Sequence, residues 1–449
     1  MSLPRFRVLL FLIALLLPLR ALAYSLLTHE QIIDLTWRDS IVPLLLSHFP
    51  NMTPAELDEA RAFAYGGCVI QDIGYYPFGD QNFSNLTHYV RAGDFVVSLF
   101  RNAHTPDELA FAIGALSHYV GDTIGHPEAT NIAVPVEFPS LAAKYGKSVN
   151  YAEGRRQHVQ VEFAFDVDEV AHHRVAPLRY MQHIGLKVSM RQLALAYYQT
   201  YGITDDFKRF RRRRINVPAY RFATRSFIPR IAYAETLLHR KHEPAEPVTK
   251  ERSDYNDAVA KMAATDNWQS YRHHAGITTY MLAGIIFIVP KIGPLKLAAI
   301  KGPSQKTEEE FLHSVTLAAV SFQRDVARFT APSISERSSS RRLLNLRHPL
   351  PNRDLDTGKV VQPGGYPLTD STYAELLHRI TLDPKQQIPP GIKEDIQAYY
   401  ANPDQPITTK KNESAWKQVQ ADLGVLATMA TSNEPEPYPT YGDGVPDSE

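Results

Sequence analysis

The chain has 449 residues, and its 48 lysines and arginines equal its 48 aspartates and glutamates, so the formal net charge at pH 7 is zero. That balance gives no general attraction to nucleic acid or to an anionic surface. The length allows a large buried core and more than one structural unit. The single cysteine, Cys68, excludes an intramolecular disulfide and is more typical of a small buried apolar residue than of a metal ligand.

Residues 1–23 have the organisation of an export signal. A basic start is followed by an apolar run from Val8 to Leu19 and by a small-x-small sequence that ends at Ala23. The apolar run is too short to cross a membrane. We therefore expect cleavage after Ala23, a mature chain that begins at Tyr24, and a periplasmic or secreted protein.

The following sequence is predominantly helical. Thr53 and Thr105 each begin a sequence typical of a helix start. In it, threonine caps the helix, proline takes the first helical position and glutamate the third. Strand-like alternation is almost absent, so we predict an all-α fold. The first predicted helices begin near Thr28 and Thr53, and the next one carries both His88 and Leu99. The central helix begins at Thr105 and is followed by a predicted loop at Glu128–Val149. Later helices are predicted at Glu153–His172, Val188–Tyr201 and Phe222–His239.

Two later stretches each allow two interpretations. The basic run Lys208–Arg214 is typical of a solvated helix face or loop, and less often of an anion-binding patch. The apolar run Ile277–Val289 is too short to span a bilayer. It fits a buried core helix, or alternatively an element that dips into a lipid surface.

Beyond Pro332 the composition changes to serine, arginine and many prolines. We interpret residues 334–449 as a Pro-rich extension wrapped on a helical domain of residues 24–333. Short helices are predicted near Thr372–Ile380 and Ser414–Met429, followed by a disordered acidic end.

The central predicted helix carries the spacing His118-x-x-x-Asp122-x-x-x-His126. Each four-residue step advances only about 40° around a helix, so the three side chains share one face. Two imidazoles around a carboxylate suit a divalent metal such as zinc. The alternative, a solvent-facing polar stripe, lacks the neighbouring charge partners that such stripes usually have.

Other groups that bind metals recur on or beside the predicted helices. His158 and Glu162 are four residues apart and therefore also share a helix face. In chain order the candidates are the new amino terminus at Tyr24, His29, Asp72, His88, His118, Asp122, His126, His158 and Glu162.

This order of residues resembles the bacterial zinc-dependent phospholipase C family, whose all-helical fold is shared with the S1/P1 nucleases. The resemblance covers roughly Tyr24 to Glu162 and implies three zinc ions per chain. It implies one zinc held by Asp72, His88, His118 and Asp122, a second held by His126, His158 and Glu162, and a third held by His29, by Asp122 as a bridge, and by the backbone amino nitrogen and carbonyl oxygen of Tyr24.

The resemblance has departures near the substrate positions. The family usually begins with Trp where this chain has Tyr24, and the nucleases show glycines that the stretch up to His29 lacks. Choline-preferring phospholipases line the headgroup pocket with an acid and two aromatic residues, and here those positions are Leu27, Ile73 and Asn85. The resemblance therefore does not extend to a phosphocholine preference.

The chemistry implied is phosphoester hydrolysis by a water that zinc makes more acidic, with Asp72 as the candidate to orient or deprotonate it. A phospholipase C-like enzyme acting at a membrane or micelle surface is the first hypothesis, favoured by the balanced charge and by Ile277–Val289. An S1/P1-like nuclease or nucleotidase is the second, favoured by Arg211–Arg214. A zinc-holding surface protein without catalysis is the third, and no feature indicates an obligate protein partner.

Overall fold

A computed structural model describes residues 26–203, 211–239, 249–272, 277–288, 302–329 and 350–432. The predicted export signal, Tyr24, residues 208–210 of the basic run and the acidic end lie outside the described residues.

The described residues form helices and connecting turns, with no β-strand among them and two isolated bridges. The all-α prediction is confirmed. The helices are α1 (Leu26–Thr36), α2 (Val42–His48), α3 (Pro54–Gly67), α4 (Gln81–Tyr89), α5 (Ala92–Arg101), α6 (Pro106–Gly125), α7 (Asn131–Glu137), α8 (Pro139–Tyr145), α9 (Tyr151–Ala171), α10 (Leu178–Ile184), α11 (Met190–Tyr201), α12 (Arg211–Phe222), α13 (Ile228–His239), α14 (Lys250–Thr265), α15 (Trp268–Tyr271), α16 (Ile277–Ile288), α17 (Gln305–Ala327), α18 (Pro367–Thr381), α19 (Pro390–Tyr399) and α20 (Glu413–Thr428).

Helix α6 is the centre of the fold. Every residue from Leu109 to Asp122 is buried, because α3, α5, α17 and α1 pack around it. Thr105 and Glu108 form the predicted capping box at its start, each satisfying a backbone N–H of the other. A helix that is enclosed on all sides normally lacks polar residues, so those of α6 need a specific explanation.

Two predicted elements are wrong. The helix expected to carry both His88 and Leu99 is two helices, α4 and α5, separated by Arg91 with a φ of 50°. Arg91 holds this left-handed conformation through bonds from its guanidinium to Asp94 and to the carbonyl of Thr200.

The predicted loop at Glu128–Val149 also contains helices, since it includes α7 and α8. Pro135 lies inside α7, and Pro139 occupies the first helical position of α8, where its missing N–H costs nothing. Thr28, the expected cap of the first helix, lies inside α1, and its hydroxyl bonds to Asp166 instead.

The C-terminal part of the described chain packs on the same core as the helices before it. Leu355, Leu376 and Ile392 are buried and belong to one continuous apolar cluster with α6. Helix α16, within the apolar run Ile277–Val289, packs against α13 and buries Leu282, while Tyr280 and Met281 are exposed. Among the helices described, none has the length and apolar character needed to cross a membrane.

The crossing of α3 and α6 gives the first testable prediction. A Cβ added at Gly114 would collide with the carbonyl oxygen of Ala64 and lie 2.8 Å from the backbone nitrogen of Cys68. Backbone cannot move aside as a flexible side chain can, so we expect Gly114→Ala to lower the free energy of unfolding by about 1–3 kcal/mol. Gly424→Ala, at an α20 position where an added Cβ meets nothing within 4 Å, is the matched control. Thermal unfolding of both variants checks this, and equal melting temperatures would contradict the close approach.

Candidate metal centre

The three residues of the central motif lie on one side of α6 and its continuation. Helix α6 ends at Gly125, and His126 begins a wider helical turn, His126–Thr130. Because His126 keeps helical backbone angles, its side chain stays in line with those of His118 and Asp122. The one-face prediction made from the spacing of the three residues is confirmed.

Four other elements direct their candidate ligands to the same place. His29 lies on α1, and Asp72 lies in the short 3₁₀ helix Ile70–Gly74. His88 is on α4, while His158 and Glu162 are one turn apart on α9. All eight described candidates are therefore brought together, and each is at most 1% exposed. Tyr24 lies outside the described residues.

Asp122 is surrounded by four imidazoles. Its Oδ1 is 3.2 Å from Nε2 of His29 and 3.6 Å from Nε2 of His126. Its Oδ2 is 3.1 Å from Nε2 of His118 and 3.5 Å from Nε2 of His88. The two oxygens thus face different pairs of histidines, which is the arrangement required of a carboxylate shared between two cations.

Asp72 and Glu162 contact different histidines and belong to different groups of possible metal ligands. Asp72 Oδ1 is 3.3 Å from Nε2 of His88. Glu162 Oε1 is 3.0 Å from Nε2 of His158 and 3.6 Å from Nδ1 of His126. Each of these carboxylates therefore faces its own histidines.

Backbone carbonyls fix the orientation of two rings. Nδ1 of His88 is 2.7 Å from the carbonyl oxygen of Ser84, and Nδ1 of His118 is 3.0 Å from that of Cys68. A carbonyl accepts only from a protonated nitrogen, so Nε2 of each ring is left to bind a metal. Cys68 contributes through its backbone, and its buried thiol contacts the carbonyl of Tyr65.

Without a cation, the buried ionisable groups of this centre are in an electrostatically unfavourable environment. Burial raises the pKa of Glu162 well above its usual range, and the charge of Asp122 raises it further. Burial lowers the pKa of His126 to about 4. Burial would also lower the pKa of His88, but the nearby carboxylates of Asp122 and Asp72 outweigh it and raise the pKa to about 10. One proton on His88 thus partly compensates the buried negative charge.

The carboxylate oxygens of Asp72, Asp122 and Glu162 are buried and accept no hydrogen bond from the part of the chain that the structure describes. Buried carboxylates without donors are costly unless they bind a cation. Imidazole and carboxylate groups are the donors that zinc prefers in proteins, so the centre fits zinc. The groups that could hold an ion are His29–His118–Asp122, Asp72–His88–His118 and His126–His158–Glu162.

A fourth acidic group, Asp168, His172 and Glu308, has a different character. Arg174 lies 3.0 Å from Glu308 and also pairs with Asp168, and Arg252 contacts Glu308 as well. Because two guanidinium groups already neutralise these carboxylates, this cluster is an ion-pair network between α9 and α17.

Two tyrosines lie beside the centre. From the sequence, Tyr75 is one of four aromatic residues that could form a wall of the site or pack in the core, whereas Tyr151 is not identified. The ring of Tyr75 lies 5.6 Å from that of His88, and the ring of Tyr151 lies 5.6 Å edge-on from that of His158. Tyrosines have no spacing rule that marks them as neighbours of a metal site. Only their closeness in sequence to Asp72 and His158 could have suggested this role.

Fold and centre together define a helical protein with a candidate metal centre. Residues 28–208, fewer than half of the chain, match the model of the family described as zinc dependent phospholipase C. No match was found among curated proteins or among solved structures.

Proton release on metal binding tests the electrostatics. With a pKa of about 10, His88 is protonated at pH 7 in the metal-free protein, and a metal binds only the neutral ring. Zinc binding should therefore release this proton, and zinc affinity should rise with pH between pH 6 and 8. Calorimetry in two buffers of different ionisation enthalpy counts the protons, with His88→Gln as the control that lacks this one. Proton release that is the same in both proteins would contradict the assignment.

Proposed function

We propose that the chain is a zinc-dependent phosphoric ester hydrolase that cleaves phospholipid headgroup phosphoesters as a phospholipase C does. The observation that carries this proposal is the set of eight buried ligand side chains, arranged in three groups, within the part of the chain that matches the family. Such a set concentrates positive charge at one place once the ions bind, and a phosphodiester requires that charge in its transition state.

The proposed centre holds three zinc ions. Asp72, His88, His118 and Asp122 would bind the first, and His126, His158 and Glu162 the second. His29, Asp122 and the backbone amino nitrogen and carbonyl oxygen of Tyr24 would bind the third. When bound, zinc neutralises charge on the phosphate oxygens and makes a water more acidic.

Asp72 is our candidate for the residue that acts on the attacking water. Its Oδ1 faces His88 at 3.3 Å, and neither of its oxygens accepts a hydrogen bond from a described residue. A carboxylate in this state can bind an ion through one oxygen and orient or deprotonate a water through the other. Since the centre is buried, bulk water does not compete with these interactions.

Export would be coupled to this chemistry through the amino terminus. The backbone N–H of Leu27 donates to Oδ2 of Asp166 at 3.1 Å, which fixes the start of α1 just before His29. Tyr24 lies only five residues before His29. An α-amine has a pKa near roughly 8 and can bind zinc in its neutral form, but only after cleavage at Ala23 has created it. We therefore propose a secreted or periplasmic enzyme.

A comparison of two substrates tests the function. We expect the mature protein to release phosphorylated headgroup from micelles of short-chain phosphatidylcholine or phosphatidylethanolamine and to leave single-stranded DNA intact. Asp122→Asn removes the charge that two zincs share and should reduce turnover to background. Cleavage of DNA alone would favour a nuclease, while zinc-loaded protein inactive on both substrates would favour a protein without catalysis.

Zinc content tests the amino-terminal site. Protein that begins at Tyr24 should contain three zincs, whereas a variant with Met added before Tyr24 should contain two and lose activity. The added residue turns the amine into an amide nitrogen, which is a poor ligand, and leaves only two side chains at that site. Tyr24→Phe is the matched control, because no side-chain atom is used. Equal zinc counts from free and blocked termini would exclude Tyr24 as a ligand.

A further inference from the structure

The segment 350–361 is a tight turn that contacts the metal centre, although it lies far outside residues 28–208. The backbone N–H of Val361 donates to the carbonyl of Asn352 at 2.9 Å, and that of Asp354 donates to the carbonyl of Lys359 at 3.0 Å. The carboxylate of Asp354 accepts from the backbone N–H of Thr357 at 2.8 Å. These bonds make the turn a preformed unit.

The turn contacts the backbone beside two candidate ligands. The N–H of Leu355 donates to the carbonyl oxygen of His88 at 3.0 Å. Gly358 has a φ of 67°, and a Cβ there would collide with the carbonyl oxygen of Thr123, the residue after Asp122. Only glycine allows this approach between the turn and α6.

Asp356, at the tip of the turn, connects it to two elements of the centre and to Tyr366. Its carboxylate is 3% exposed, and Oδ2 accepts from the hydroxyl of Tyr89 at 3.0 Å and from that of Tyr366. Its carbonyl oxygen accepts from Nδ2 of Asn131 at 2.8 Å. Tyr89 directly follows His88, and Asn131 follows the turn that begins at His126.

A buried carboxylate is not needed merely to fill this space. It costs free energy unless donors satisfy it, and an apolar residue of similar size would pack without that cost. One of the two hydroxyls that satisfy the carboxylate of Asp356 belongs to Tyr89, on the helix that carries His88, and the other to Tyr366. The amide of Asn131, next to the turn that begins at His126, bonds to the backbone carbonyl of Asp356 instead. Groups that hold the elements around metal ligands set the geometry of a site and therefore its affinity.

We propose that Asp356 is a positioning residue of the metal centre, and that residues 350–361 are thereby part of that centre. Its carboxylate bonds to Tyr89 and its backbone carbonyl to Asn131, and these bonds hold the ligands of α4 and of the His126–Thr130 turn at the spacing that a metal requires. This inference rests on zinc binding in the proposed function, but not on the identity of the substrate.

The test is zinc retention by full-length mature protein. Asp356→Asn keeps the size of the side chain but leaves a weaker acceptor for two hydroxyls. We expect its zinc affinity, measured by competition with a chelating dye, to fall by about 10–100-fold. Asp422→Asn is the matched control, because Asp422 is a buried carboxylate of the same C-terminal part that bonds only to His378 and Gln418 in the described structure. It should retain zinc as the unaltered protein does.

Melting temperatures separate positioning from general support of the fold. In excess chelator, Asp356→Asn and Asp422→Asn should melt within a few degrees of each other. With zinc added, the rise in melting temperature should be smaller for Asp356→Asn. A full zinc-dependent rise in Asp356→Asn, together with unchanged zinc affinity, would overturn the inference even if the metal-free protein were destabilised.

A double-mutant cycle identifies the contact. Tyr89→Phe removes the hydroxyl on the ligand side, so it should weaken zinc binding, and adding Asp356→Asn should have less than its full effect. Fully additive effects would overturn the proposed link. If the unaltered protein holds no zinc, this inference and the metal part of the proposed function both fail. If it holds zinc but cleaves no phospholipid, only the substrate proposal fails.

Discussion

The structure depends on one buried carboxylate, Asp122, placed among four imidazoles near the C-terminal end of its central helix. An isolated charge at this depth would be strongly unfavourable, and the surrounding histidines can offset it only by taking up protons. Divalent ions offset the charge more completely, because they also satisfy Asp72 and Glu162. The family match of residues 28–208 and the arrangement of donors therefore lead to the same explanation for polar residues on an enclosed helix.

The scaffold fixes these donors by means that do not involve a metal. Gly114 lets α3 and α6 approach until their backbones touch, and this approach brings the carbonyl of Cys68 to the ring of His118. The carbonyl oxygen of Ser84, one turn earlier on α4, likewise contacts the ring of His88. Preorganisation of this kind lowers the entropy that an incoming ion would otherwise have to remove. The close packing of the core is thus a condition for the centre.

Sequence alone predicted the parts of the centre that obey helical periodicity. His118, Asp122 and His126 share a face, as do His158 and Glu162, because four residues make about one turn. That His29, Asp72 and His88 join them was inferred only from family resemblance, since no local pattern relates residues on different helices. The break at Arg91 was missed because its left-handed conformation depends on bonds to Asp94 and Thr200, which only the folded chain provides.

The C-terminal contribution was missed for a similar reason. The extension was expected to wrap on the helical domain, but nothing in its proline-rich composition indicated a contact with the centre. Asp356 occurs in a sequence whose aspartates, threonine and glycine are all accounted for as turn-forming residues. Helix α17, which packs along α6, was also not among the predicted elements. Both cases show that long-range packing determines which of several plausible local signals matters.

The bond between Tyr89 and Asp356 joins residues 267 positions apart, and this separation has a consequence for biosynthesis. A chain emerges from the ribosome in order, and contacts between distant segments form only after the later segment is available. The elements that carry all the described ligands are complete about 190 residues before the turn that contacts them is made. With the proposed role of Asp356, metal loading at full affinity would be a late event in maturation, and a chain truncated before residue 350 would contain all the described ligands in a more weakly binding arrangement.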